Sequence, residues 1–189
     1  MSTPLPPVIG LAGASGVGKS SVARAIIKSN HAGFALLPSN TAGYQMLDRL
    51  LAHHCDEQEA EFWLSDWRER PCPYLGGRTV REALQTLLTE WGRDQMGAML
   101  WRLAWQAQAD RLAASGLVIV NASVRFEDEA QAVRDRGGLV FLVTRAGMAP
   151  ASAHRCENQV IRSDARVAVE GPNGVPAAAR QILEICGAS

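Results

Sequence analysis

The sequence predicts an α/β fold with a five-stranded parallel sheet, helices on both faces and an inserted helical lobe. Three observations lead to this prediction. Short apolar runs, of the kind buried on both faces of a parallel sheet, recur along the chain. The first run leads through a glycine-rich turn into a helical pattern. About 75 residues without a strand pattern then separate the second run from the third, far more than a simple strand-to-helix connection needs.

The five predicted strands share a short, mostly aliphatic composition. They cover residues 8–12, 34–37, 117–120, 139–143 and 167–169. A helix is predicted from Ser20 to Lys28 directly after the first strand. Another is predicted to start near Pro176, where proline suits a first helical turn, and to end at Gly187. Together these segments form one domain, residues 1–189, with the lobe inserted at 40–115.

The best helix of the inserted lobe begins with a capping box, in which Thr79 caps the helix and Glu82 reaches back to it. A 3.6-residue period then predicts an apolar face, made of Val80, Leu84, Leu87, Leu88 and Trp91. The opposite side would carry Arg81, Gln85, Thr89 and Arg93. A second helix is predicted from 94 to about 114, with Met96, Met99, Leu100, Leu103 and Ala107 facing inward.

Composition narrows the class of partner. The chain has 189 residues, 47% of them hydrophobic, and a formal net charge of +0. Without an overall basic field, a small-molecule substrate is expected rather than nucleic acid or a membrane surface. Neither an apolar leader nor a run of about 18 apolar residues occurs, so we expect a cytoplasmic protein. Its four scattered cysteines predict free thiols rather than a zinc site.

Residues 13–20 read GASGVGKS and match the P-loop pattern G-x-x-x-x-G-K-[ST] in full. They lie between a predicted strand and a predicted helix, which is the context that the motif requires. The pattern predicts ATP binding by Gly13, Ala14, Ser15, Gly16, Val17, Gly18, Lys19, Ser20 and Ser21. Lys19 would bridge the β- and γ-phosphates, and the Ser20 hydroxyl would hold Mg²⁺. The motif does not say what receives the phosphate.

Three further stretches resemble the phage-type deoxynucleoside monophosphate kinases, which are relatives of the adenylate-kinase-like enzymes. Residues 78–93 are similar to the family's R-x-x-LQ-x-x-GT-E-x-x-R signature. Residues 124–130 are similar to its D-V-R-F-x-x-E-A segment. Arg145, with residues 154–157, is similar to a strand-end arginine followed by H-x-S-E. The resemblance covers most of the chain and implies phosphoryl transfer from ATP to a deoxynucleoside monophosphate.

The resemblance also implies roles for individual side chains. Phosphoryl transfer between two nucleotides must neutralise several phosphate charges, so its site gathers arginines. Besides Lys19, we expect Arg125 and Arg145 to be catalytic, and Arg81, Gln85, Trp91, Arg93 and Arg155 to bind the acceptor. Trp91 has a second interpretation as a core residue. Residues 146–165, rich in small side chains, are expected to form a lid. The family also suggests a homodimer.

The chain departs from the family at several positions. Ser123 stands where the family has aspartate, and the preceding strand is predicted to end in Asn121 rather than an acid. Residues 34–38 lack the family's Asp and Lys, and Cys156 replaces a serine. Three functions therefore stay open. They are a deoxynucleoside monophosphate kinase, a P-loop kinase acting on another small molecule, and a nucleotide-binding regulatory protein that has lost its catalytic carboxylate.

Overall fold

The structure is a computed structural model and describes residues 5–29, 33–148 and 159–187. Its strands are β1 (Val8–Ala12), β2 (Phe34–Leu36), β3 (Val118–Val124), β4 (Leu139–Thr144) and β5 (Ala165–Ala168). Its α-helices are α1 (Lys19–Lys28), α2 (Thr41–Leu51), α3 (Glu57–Leu64), α4 (Val80–Gln85), α5 (Met99–Ala114), α6 (Glu127–Arg134) and α7 (Gly174–Ile185). A 3₁₀-helix covers Pro73–Leu75, and a π-helix covers Thr86–Gln95.

The chain divides into two compact units. The sheet unit consists of Met1–Ser39 and Gln106–Ser189, and the helical unit is Asn40–Trp105. The inserted lobe was predicted at 40–115, whereas the boundary between the units falls at Trp105 within α5.

The sheet unit contains the predicted five-stranded parallel sheet, in the order β2-β3-β1-β4-β5. Ile9 and Leu11 of β1 are fully buried in one core cluster with residues of α1 and α7, such as Ile26 and Ile182. A Cβ built on the intervening Gly10 would lie 3.2 Å from Val133 of α6. Because successive strand residues point to opposite faces, helices cover both faces of the sheet, which confirms the predicted architecture.

Strand β3 is longer than predicted. It was predicted over residues 117–120, with Asn121 at its end, whereas the strand continues to Val124 and every residue from Ile119 onward is buried. Gly10 pairs with Asn121 and Ala12 pairs with Val124, so β3 has one extra residue at a bulge. The prediction was wrong because it took polar side chains as the end of the strand, although these polar groups are satisfied inside it.

The helical unit has its own core, shared by α2, α3 and α4. Leu51, Cys72 and Val80 are fully buried there, beside Leu47, Ala60, Trp63 and Leu84. Glu59 accepts hydrogen bonds from the Trp63 indole and the Tyr74 hydroxyl, each at 3.1 Å. A carboxylate thus pairs the polar ends of two aromatic residues whose rings pack edge to face.

The predicted capping box of α4 is confirmed. The Thr79 hydroxyl accepts the Glu82 N–H at 3.1 Å, and the Glu82 carboxylate accepts the Thr79 N–H at 2.8 Å. The continuation at a 3.6 period is wrong, because the chain becomes a π-helix at Thr86. Its i→i+5 hydrogen bonding rotates later side chains out of the predicted stripe. Thr89 and Arg93, predicted on the side opposite the apolar face, are therefore buried with 3% and 9% of their surface exposed.

The Trp101 side chain packs directly against the backbone of the π-helix. A Cβ on Gly92 would overlap the Trp101 indole, and the indole N–H donates to the Leu88 carbonyl at 2.7 Å. Gly92 therefore admits a large ring directly against the backbone. The ring in turn takes a carbonyl of the widened helix as its hydrogen-bond acceptor.

Helix α5 also differs from the prediction. It begins at Met99 rather than residue 94, and its buried positions are Trp101, Trp105 and Ala109. The predicted inward residues Met96, Met99 and Leu103 are 59%, 45% and 57% exposed, Ala107 is exposed and Leu100 is half-buried. The two indoles offer more apolar area than the thioethers and leucines, so their face is the one that the helix buries.

Three further observations concern the last helix, the thiols and the apolar character of the helices. Pro176 lies in the first turn of α7, as predicted, although the helix starts at Gly174 and ends at Ile185. Cys55, Cys72 and Cys186 are free thiols, and burial raises the pKa of Cys186 to about 11. Within the described residues, no helix has both the length and the apolar character needed to cross a membrane.

Candidate functional site

The carboxyl ends of three neighbouring strands bring the predicted loop and two arginines together. Ala12, the last residue of β1, pairs with Val124 on one side and with Leu142 on the other. The glycine-rich loop (residues 13–20) follows β1, Arg125 follows β3, and Arg145 follows β4. The loop therefore starts at the middle of this edge, between the two arginine-bearing strand ends. In open parallel sheets this edge is where ligands bind.

The loop depends on glycine at its two ends. Gly13 has a φ of 134°, and a Cβ there would overlap the backbone carbonyl oxygen of Val143. Gly18 has a φ of 106° and directly precedes α1. Between them, Val17 is 3% exposed and belongs to the core cluster of the sheet unit. The loop is thus held to the core at its middle and bent by glycine at both ends.

Lys19 closes the loop on itself. Its ammonium group donates to the carbonyl oxygens of Gly13 and Ala14, both at 2.7 Å, and only 7% of the residue is exposed. Ser20 and Ser21 are exposed in the first turn of α1. A positive side chain and the N-terminus of a ten-residue helix therefore meet in one loop, which is a favourable environment for a phosphate anion.

Arg145 adds a second positive charge beside this loop. Its guanidinium nitrogen lies 3.5 Å from the position that a Cβ would take on Gly18. The Val169 side chain lies 3.8 Å from the same position. These are van der Waals distances, so the guanidinium lies directly beside the end of the loop.

A cavity of about 560 Å³ opens next to Arg145. It is lined by Arg145, Ala146, Val169, Glu170 and Gly171. Val169, Glu170 and Gly171 were not predicted as site residues. Their signal was available, because Val169 ends the predicted strand 167–169 and the other two directly follow it, which places them at the same carboxyl edge of the sheet as the loop.

Arg125 is held at the junction of β3 and α6. The carboxylate of Glu129 accepts the backbone N–H groups of Arg125 and Phe126, at 2.8 and 3.3 Å. These bonds satisfy donors at the start of α6 and fix the backbone from which the half-buried Arg125 side chain extends.

Asn121 forms a buried polar cluster near this junction. Its side-chain oxygen accepts the N–H groups of Ser39 and Ser123, at 3.0 and 3.1 Å. Its amide nitrogen donates to the Ser39 hydroxyl at 2.8 Å. Asn121 is fully buried, and Ser39 and Ser123 are 7% and 9% exposed. The cluster supports the bulge of β3 and fixes Ser39, the last residue before the helical unit.

Four of the five residues predicted to bind the acceptor lie in the helical unit. The Arg81 Nε forms an ion pair with Glu69 at 2.6 Å. Arg93 is buried in the π-helix, and Gln85 and Trp91 are half-buried. The Trp91 and Trp101 rings are 6.1 Å apart. Arg155 and residues 149–158 of the predicted lid lie outside the described residues.

Neither a scan against protein-family models nor a search of curated proteins found a match for this chain.

Proposed function

We propose that this protein transfers the terminal phosphate of ATP to a deoxynucleoside monophosphate, with the glycine-rich loop acting as a P-loop. One observation carries the proposal. Lys19 closes the loop from within, and the Arg145 guanidinium reaches the same loop from a neighbouring strand end. Two cations that converge on a helix N-terminus suit the charge of a triphosphate.

Each group then has a defined task. The loop N–H groups bind the β-phosphate, and the Lys19 ammonium exchanges its two carbonyl acceptors for phosphate oxygens. Arg145 neutralises charge on the moving phosphoryl group. An oxygen of the acceptor phosphate forms the new P–O bond in line with the bond that breaks to the β-phosphate, so transfer depends on positioning and charge.

Magnesium fits the residues present. The described residues contain no group of three or more histidine, cysteine or acidic side chains able to hold a metal ion. Magnesium bound to nucleotides takes most of its ligands from phosphates and water, so the exposed Ser20 hydroxyl is a sufficient protein ligand. When held by Ser20, the ion would neutralise negative charge on the phosphates of the nucleotide.

The acceptor half of the proposal rests on the resemblance of residues 78–93 to the kinase signature. Arg81 and Arg93 would bind the phosphate of the deoxynucleoside monophosphate, and Gln85 and Trp91 would bind its base. Arg155, within a lid at 146–165, would complete the set.

A second candidate is a nucleotide-binding regulatory protein without turnover. It is favoured by the end of β3, where Asn121 and Ser123 place buried neutral side chains and the Asn121 amide is engaged in hydrogen bonds.

A coupled assay of ADP release, run with each deoxynucleoside monophosphate in turn, tests the proposal. Lys19→Ala should lower turnover by at least about 100-fold, since it removes a charge from the transferring phosphate. Lys28→Ala is the matched control because Lys28 is the other lysine of the chain and lies exposed at the end of α1. Unchanged turnover in folded Lys19→Ala would refute the role of the loop. ATP binding without turnover on any acceptor would favour the regulatory protein.

A further inference from the structure

The cavity beside the loop carries two charged side chains with opposite hydrogen-bonding capacity. Arg145 only donates, whereas the Glu170 carboxylate only accepts. The other lining residues are Ala146, Val169 and Gly171, which bring small or apolar side chains. A flat apolar ring system with polar edges is the kind of ligand that such a lining accommodates.

The backbone that carries Glu170 is fixed on both sides. Before it, the Val169 N–H donates to the Thr144 carbonyl at 2.8 Å, and 2% of Val169 is exposed. After it, Gly171 turns with a φ of 65°, and its carbonyl accepts the Gly174 N–H at 3.2 Å. The exposed Glu170 carboxylate therefore extends from an ordered corner at the cavity.

Guanine and adenine differ in the hydrogen-bond donors that their edges offer to such a carboxylate. Guanine presents two adjacent donors, N1–H and the 2-amino group. Adenine presents its 6-amino group between two acceptors, N1 and N7, which repel a group that can only accept. A carboxylate can accept both guanine hydrogen bonds at once, whereas it can accept only one from adenine.

From this chemistry we infer that Glu170 selects the base of the phosphate donor and makes guanine nucleotides better ligands of this site than adenine nucleotides. The inference rests on the proposed function, because it treats the cavity as the base subsite of the triphosphate loop. It adds to that function, in which ATP is a phosphate donor, that GTP is bound more tightly. A bidentate contact to a base discriminates between bases by about 10-fold or more in affinity. Because Glu170 is exposed to solvent, we expect a discrimination at the lower end of this range.

Binding of diphosphates tests the inference independently of catalysis. Calorimetric titration of the full chain with GDP, IDP and ADP should give GDP the lowest Kd, about 10-fold below that of ADP. IDP, which lacks the 2-amino group, should fall between them. Glu170→Gln should reverse the order, since a carboxamide both donates and accepts and therefore matches adenine. Glu170→Ala should make the three Kd values similar.

Glu184→Gln is the matched control, because Glu184 is exposed on α7 and does not line the cavity. It should preserve the order of the wild type. ADP binding more tightly than GDP in the wild type, or an unchanged order in Glu170→Gln, would overturn the inference. If no nucleotide binds, the proposed function fails with it. A guanine preference without any phosphoryl transfer would support the inference and overturn the kinase alone.

Discussion

Asn121 illustrates how one side chain can serve two parts of the molecule. Its oxygen accepts the Ser123 N–H, next to the bulge of β3, and also the N–H of Ser39. Ser39 is 82 residues away along the chain. Sequence reasoning found the residues of the glycine-rich loop because they form one contiguous string. The role of Asn121 was not predicted, because the hydrogen-bonding partner of its side chain is distant in the sequence and no local pattern indicates it.

Truncating Asn121 should therefore destabilise the protein. Asn121→Ala leaves the N–H groups of Ser39 and Ser123 buried without their acceptor, which costs about 1–3 kcal/mol. Urea unfolding followed by circular dichroism measures the loss. Asn173→Ala is the control, because Asn173 is exposed and its side chain makes no capping bond to α7, so its change should stay within about 0.5 kcal/mol. Equal effects of the two substitutions would show that the Asn121 cluster contributes nothing.

At the scale of elements, patterns governed by near neighbours predicted well and patterns governed by distant packing did not. The capping box at Thr79 involves residues three apart, and it formed as predicted. The apolar stripe beyond Thr86 assumed a constant period, whereas contact with Trp101 accompanies a π-helix. The inward face of α5 failed similarly, because the choice between two apolar faces depends on what lies opposite each of them.

The π-helix should be sensitive at Gly92. Gly92→Ala forces the new methyl group against the Trp101 indole, whose ring is fixed by its bond to Leu88. We expect a loss of about 1–3 kcal/mol in the free energy of unfolding, together with a change in indole fluorescence. Thr86→Ala is the control within the same helix, because Thr86 is exposed. A stabilised Gly92→Ala variant would show that the helix regains a regular α-helical path without cost.

The capping box makes a pH-dependent contribution. The Thr79 N–H and hydroxyl, which donate to the Glu82 carboxylate, hold its pKa below the ordinary value of 4.5. A carboxyl group with a lowered folded pKa stabilises the fold above its unfolded pKa, and this contribution is lost as the pH falls through the folded pKa. Wild type should thus be more stable than Glu82→Gln at pH 7, and the difference should shrink below pH 4.5. A constant difference across this range would contradict the linkage.

At the scale of the whole molecule, the proposal draws on residues of both units. The loop and Arg145 belong to the sheet unit, whereas Arg81, Gln85, Trp91 and Arg93 belong to the helical unit. Amide exchange with a bisubstrate analogue, two nucleosides joined by a phosphate chain, should slow across residues 13–21 and 78–93 together. A nucleoside diphosphate alone should protect only residues 13–21. If the analogue does no more than the diphosphate, the acceptor assignment is wrong.

The two lysines of the chain differ in how accessible their side-chain amines are. Only Lys19 and Lys28 are lysines among 19 basic residues. Acylating reagents attack a free amine and leave guanidinium groups unmodified. Lys28 is exposed, whereas the Lys19 amine is engaged by two carbonyl oxygens inside the glycine-rich loop. The ratio of acylation at the two side chains therefore reports how often the loop releases its lysine, so the natural chain carries both a probe of the glycine-rich loop and an internal reference.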